Sequence, residues 1–193
     1  MVSLGVLLAA DLIPVTLRYS QNQNWVPKRE LQTQPFKAAK ANRDILEDKE
    51  HFRVLNLAAN TFNDASTSFF HNSVGGYHGA KMQRYQELIE NQIQPAMMQM
   101  FDILKASPTY ESVDSILQKL QVLNMLNTRY FILSPDNEPL KNRHAFGPAW
   151  FVDDIVWADS AKQEMRLLST TDLKRVAVVD KQYKDVVGKS SIN

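Results

Sequence analysis

Thr128-Arg-Tyr-Phe-Ile-Leu133 is short, almost continuously apolar, and bounded downstream by Pro135, Asp136, Asn137 and Pro139. A strand with apolar side chains on both sides needs cover on both sides, so this run predicts a central strand. The prolines and acid-amide residues after it predict a turn or loop. Working outward, Phe52-Arg-Val-Leu-Asn-Leu57 alternates and predicts a first strand. Trp150 to Trp157 (WFVDDIVW) predicts a third strand in spite of its acidic pair, and Arg175 to Val179 a fourth.

Helical spacing fills the intervals. Ala80 to Lys105 carries Met82, Tyr85, Ile89, Ile93, Ala96, Met97, Met100, Phe101 and Leu104 along one stripe. Pro95 should kink it, because proline offers no amide hydrogen to the preceding turn, and Ser107-Pro108 should end it. Ser112 to Leu123 places Val113, Ile116, Leu117 and Leu120 on one face. Phe36 to Lys49 follows Pro35 with Phe36, Ala39, Arg43 and Leu46 on one side, extended by Ile45. Ser160 with Gln163 makes a capping-box signal for a helix to about Ser169.

The order strand, helix, helix, strand, strand, helix, strand predicts an α+β fold. It approximates a split β-α-β-β-α-β arrangement. The expected architecture is a four-stranded antiparallel or mixed sheet with helices mainly on one face. Strands two and three, joined without a helix, are expected as antiparallel neighbours.

Val2 to Leu17 reads VSLGVLLAADLIPVTL and departs most from the rest. It is too short for a full span of about 20 residues, and Asp11 and Pro14 interrupt it. It also lacks the basic start and small-residue cleavage pattern of a signal peptide. One reading is a buried helix or strand of the domain. The other, which Arg18-Tyr19 favours, is the end of a transmembrane helix at the bilayer interface. The division that follows is 1–19 as helix end or extension, 20–35 as polar connector, 36–188 as one α+β domain and 189–193 as tail.

Composition narrows the partners. The chain has 193 residues, 44% hydrophobic and 22% charged, the balance of an ordinary globular protein. At this length roughly 70% of the unfolded surface can be buried, so folding needs no metal or disulfide. With 22 basic and 21 acidic residues the net charge is +1, which argues against nucleic acid. Cysteine is absent, which removes disulfides, thiolate nucleophiles and thiolate zinc sites. No cofactor is expected.

Chemistry-bearing residues concentrate at 60–85, NTFNDASTSFFHNSVGGYHGAKMQRY. His71, His78 and Asp64 have the types of a metal set, but the spacing of seven from one histidine to the other matches no common zinc pattern, so no metal is expected. Ser66 or Ser73 with a histidine and Asp64 has the types of a triad without a nucleophile elbow. Gly75-Gly76-Tyr77-His78-Gly79 reads as a turn opening a helix, with Lys81 and Arg84 adding charge on its first turns, although the spacing is not that of a phosphate loop. Asn63, Asp64 and Ser66 are expected to bond mainly to backbone. The candidate ligand-binding set is Asn63, Asp64, His71, Tyr77, His78, Lys81 and Arg84. Asp153 and Asp154 point to opposite faces of a strand and make no carboxylate pair. Met97, Met98 and Met100 are expected in the core.

FRVLNLAANTFNDASTSFFHNSVGGYHGAKMQRYQELI at 52–89 resembles the extracytoplasmic region of the bacterial YfhO membrane-protein family. LNMLNTRYFIL at 123–133, GPAWFVDDIVW at 147–157 and VAVVDKQY at 176–183 fit it in the same order. LLAADLIPVTLRYSQ at 7–21 is similar to the end of a transmembrane helix where that family leaves the bilayer. The resemblance covers nearly the whole chain through family-like phrases, with no catalytic signature. It implies a polytopic protein of the cytoplasmic (inner) membrane, related to glycosyltransferases that use lipid-linked sugars. Their catalytic acid is expected in an early extracytoplasmic loop that this chain does not contain, so no catalytic residue carries over.

The expectation is therefore an extracytoplasmic, periplasm-facing accessory domain, tied to the membrane through its parent chain and not catalytic by itself. Its expected ligand is an acceptor glycan or lipid-linked sugar phosphate. The alternative is a structural or protein-interaction module of the cell envelope. A stand-alone hydrolase lacks an identifiable acid–base pair.

Overall fold

The computed structural model describes residues 2–20, 25, 27–28, 37–106 and 109–187. Most of the expected connector at 20–35, the start of the helix expected from Phe36, the Ser107-Pro108 stop and the tail at 189–193 lie outside the described residues. The chain divides into two compact units, Met1–Lys37 and Ala38–Asn193.

The first unit contains helix α1, Val2–Tyr19, which continues through Pro14. Every residue from Gly5 to Ser20 is exposed, and Leu7, Leu17 and Tyr19 are among the most exposed apolar side chains. A helix apolar on all sides has no polar face to turn to water. No helix among the described residues is long and apolar enough to cross a membrane.

In the second unit a three-stranded sheet forms from β1 (Arg53–Asn56), β2 (Thr128–Ile132) and β3 (Leu140–Lys141), in the order β1-β2-β3. The central position expected for the 128–133 run is the one β2 occupies. β1 and β2 are parallel, with Val54 opposite Tyr130 and Leu55 opposite Phe131. Alternate side chains leave a strand on opposite faces, and both faces are covered. Val54, Tyr130 and Ile132 pack with Phe52 and with Ala41 and Ile45 of α2, Lys40–Glu47. Leu55 and Phe131 pack on the other side with Ile89, Ile93, Met100, Ile116, Leu117 and Leu123.

The helices of that second layer are α4 (Gln83–Leu88), a π turn (Ile89–Ile93), α5 (Gln94–Lys105), α6 (Tyr110–Lys119) and α7 (Gln121–Met125), whereas the short α3 (Ser66–Phe70) belongs to the loop after β1 and supplies no residue to that cluster. The long stripe expected over 80–105 is thus interrupted just before Pro95. A proline withdraws one donor and pushes its ring against the carbonyl four residues back, and a widened turn relieves both. Ile89, Ile93 and Met100 are buried, whereas Met82 and Met98 are exposed and outside the core. On α2 the buried pair is Ala41 and Ile45, so the face expected through Arg43 and Leu46 is the solvent side.

The expected four-stranded sheet is not formed. β4 (Asp154–Ala158) and β5 (Val176–Asp180) make a separate two-stranded parallel sheet across α8, Ala161–Thr170. Strand two's antiparallel neighbour is the short β3, with Phe131 opposite Leu140, rather than the 150–157 stretch. Two connections explain the change. The helices between β1 and β2 are long enough to return the chain in parallel, and α8 does the same for β4 and β5. Helices also lie on both faces of the first sheet, not mainly on one. β4 itself starts late, at Asp154, while Trp150 is held apart by its Nε1–H donating to Leu173 O at 3.1 Å. Ser160 caps α8 by accepting from Gln163 N–H at 3.3 Å, and Gln163 Oε1 accepts from Asp159 N–H at 2.7 Å.

Candidate functional site

The polar stretch at 60–81 is fastened to the outer edge of β1. Val54 N–H donates to Asn72 O at 2.8 Å, Val74 N–H donates to Val54 O at 3.0 Å, and Ser73 forms a parallel bridge with Val54. Asn56 Nδ2 donates to Thr67 Oγ1 at 2.9 Å, and the Thr61 hydroxyl donates to Asn56 O at 2.7 Å. Asp64 accepts from Ser66 N–H at 3.0 Å and from the Ser66 hydroxyl, locking the entry to α3. Gly75 is packed so tightly that a Cβ there would lie 1.9 Å from Thr61 O. Gly76 takes φ +117°, open to glycine alone at little cost, and its N–H donates to Thr61 O at 2.7 Å. Polar side chains that would oppose regular structure here close the loop instead.

Two cavities flank this loop. The first, about 320 Å3, is lined by His71 and Asn72 together with Asp48, Glu50, Phe52, Phe69 and Phe70. Asp48 accepts from Glu50 N–H at 3.0 Å, from the Tyr130 hydroxyl at 2.9 Å and from Arg129 Nη1 at 3.1 Å. Those bonds, that of Glu50 first, hold its carboxyl below the ordinary range against the opposing effect of burial. Tyr130 is pushed up to about 12, by burial first and then by Asp48. Arg129 also pairs with Glu50 and so balances both carboxylates. His71 Nε2 lies 3.0 Å from Asn42 Oδ1, and burial lowers its pKa, which favours a neutral ring.

The second cavity, about 400 Å3, is lined by Ser73, Val74, Gly75, His78 and Lys81 with Arg53, Met82, Tyr85 and Leu126. Arg53 Nη1 donates to Leu126 O at 2.9 Å, and Lys81 Nζ sits 5.5 Å from the centre of the Phe62 ring. The Tyr85 hydroxyl donates to Val74 O, and burial raises its pKa against the opposing charge of Arg53. Among the described residues, no aspartate or glutamate lines this cavity. Among the described residues, no carboxylate forms an ion pair with Arg53 or Lys81.

The seven candidates are therefore dispersed. Asn63 is exposed and Asp64 is a loop tie. His71 lines the first cavity, while His78 and Lys81 line the second. Tyr77 is 69% exposed and lines neither. Arg84 pairs with Glu164 of α8. The helix expected to open at the glycines begins only at Gln83, so Lys81 precedes it and owes nothing to a helix end. His71 is bonded to Asn42 and Ser66 to Asp64, so no serine–histidine relay is formed by them. Asp153 pairs with Arg175 at 2.8 Å while Asp154 accepts from Ile155 N–H, so the two acids have separate partners. Sequence reasoning missed Arg53, Asp48 and Glu50. For Arg53 a signal existed, the one charge in the strand run Phe52 to Leu57.

Compared with family models, with curated proteins and with solved structures, the chain finds no match.

Proposed function

We propose that the chain is an extracytoplasmic accessory domain of a polytopic, YfhO-like membrane protein, and that it binds an acceptor glycan or sugar phosphate along residues 60–81. The observation that carries the ligand reading is the first cavity, where Phe69, Phe70 and His71 stand beside Asp48, Glu50 and Asn72. A sugar ring presents C–H faces to aromatic rings and hydroxyls to carboxylates and amides, so a concave site with both suits it. The membrane reading is supported by α1, whose apolar side chains are exposed and which ends at Arg18 and Tyr19.

A structural or interaction module is the second reading. It is favoured by the bonds that tie Asn72 and Val74 to Val54, since they give the loop a task without any ligand. Titration of the full chain with neutral envelope-glycan fragments, followed by amide shifts, decides between them. Shifts gathered on Phe69 to Asn72, and weakened in His71→Ala with the fold intact, support the glycan. No response at millimolar sugar leaves the loop as scaffolding.

A further inference from the structure

We infer that the second cavity is a phosphate subsite in which Arg53 is the anchoring cation and Lys81 the second. It rests on the reading that residues 60–81 carry a ligand, and it assigns that ligand's charged part to a residue outside the loop. Arg53 is half-buried on β1, and its one side-chain hydrogen bond among the described residues runs from Nη1 to Leu126 O. A guanidinium has five donors in a planar fork, and one carbonyl uses only one. A cation drawn partly out of water is unfavourable until an anion or a set of acceptors satisfies it. No carboxylate of the described residues fills that role, although other arginines here have one, as Arg129 does with Asp48 and Glu50.

Lys81 tells the same story by another route. Its ammonium rests over the Phe62 ring and makes no hydrogen bond among the described residues. Such a contact leaves the ammonium's donors available, and Lys81 is one of the residues that line the cavity. The two cations come from different elements, strand and loop, and line one cavity, next to the point where Ser73 is bridged to Val54, the neighbour of Arg53. A tetrahedral dianion matches a fork plus a point charge better than a carboxylate does.

The walls define the rest of the ligand. Val74, Met82 and Leu126 are apolar, and about 400 Å3 exceeds what inorganic phosphate fills. The class is a phosphate monoester or diphosphate ester, whose ester group is either a sugar or a prenyl chain.

The test is amide and arginine Nε–H shift mapping of the full chain against four probes: inorganic phosphate, glucose 1-phosphate, geranyl phosphate and glucose. The expected result is that the three phosphates, and not glucose, shift Arg53 Nε–H and the amides of Ser73 to Lys81. Tighter binding of glucose 1-phosphate than of geranyl phosphate identifies the sugar ester, and the reverse order the prenyl ester. Arg53→Lys, which keeps the charge and loses the fork, should weaken phosphate binding about tenfold. Lys81→Gln, at a position without a packing role in either core cluster, should weaken it severalfold. Absence of shifts at millimolar phosphate overturns the inference, as do shifts that both variants leave unchanged with the fold intact. Neutral sugar at His71 without phosphate at Arg53 overturns this inference alone. Phosphate at Arg53 without any neutral sugar bound sustains it and overturns the glycan reading of the first cavity.

Discussion

The two sheets of the second unit are written in much the same alphabet, Val-Leu and Tyr-Phe-Ile in one, Ile-Val-Trp and Val-Ala-Val-Val in the other, yet they are housed differently. Val54, Leu55, Phe131 and Ile132 have almost no exposed surface. In β4 and β5 only Ala158 is buried, and every residue of β5 is half-buried. Strand propensity records fitness for a pleated surface and says little about how many layers will cover it. Cover is decided by the connections. The chain between β1 and β2 supplies helices for one face while α2 serves the other, whereas β4 and β5 are connected through α8 and both pack on it.

The largest test of this contrast is Ile132→Ala. It should cost about 2–5 kcal/mol in denaturant unfolding, the usual range for a buried aliphatic truncation. A cost below about 0.5 kcal/mol, typical of surface changes, would break the comparison at its stronger side. Next comes Gly75→Ala, where the new methyl group must displace Thr61 O. Overpacking of this kind costs about 1–3 kcal/mol, and hydrogen exchange at Val54 should quicken because the loop leaves the sheet edge. Val178→Ala on β5 should cost only about 1 kcal/mol or less, in keeping with half burial of the lost methyl groups. An equal loss at Val178 and Ile132 would mean that the second sheet is as well covered as the first.

A smaller effect is expected from pH. Burial lowers the His71 pKa from its ordinary 6.5, so the unfolded chain takes up that proton more readily than the folded one. The resulting stability is complete above pH 6.5 and is lost as pH falls through the folded pKa. Asp48, also lowered, adds a second loss below its ordinary 3.8. Unfolding free energy measured from pH 7.5 to 4.5 should fall less steeply in His71→Gln. Parallel curves would place the ring in water. The least effect should follow deletion of residues 2–17. None of the residues of the two buried clusters comes from α1, so the melting temperature should stay within a few degrees. Unfolding of the truncated chain would show that the core depends on it.

What the sequence made legible were features set by near neighbours. The 128–132 strand, the Ser160 cap and the core face of α6 at Ile116 and Leu117 follow from periodicity and local bonding. Pro95 announced a break, although not that a π turn would absorb it. Which strands pair was beyond reach, because β3 is two residues long and leaves no pattern to read. The site was legible as a stretch and illegible as an arrangement. His71 and Lys81 are ten positions apart and line different cavities, whereas Arg53 and Lys81 are far apart in the chain and line one.

The Ser73–Val54 bridge has one more consequence, for self-association. A sheet edge with free amides and carbonyls is a template on which another chain can add a strand. Here the outer edge of β1 is already occupied by Asn72 and Val74, which take up the Val54 donor and acceptor. The plug is part of the same loop that lines both cavities. Whatever lifts the loop uncovers the β1 edge beside the buried Val54 and Leu55, and whatever ligand clamps it down also guards the protein against edge-to-edge aggregation.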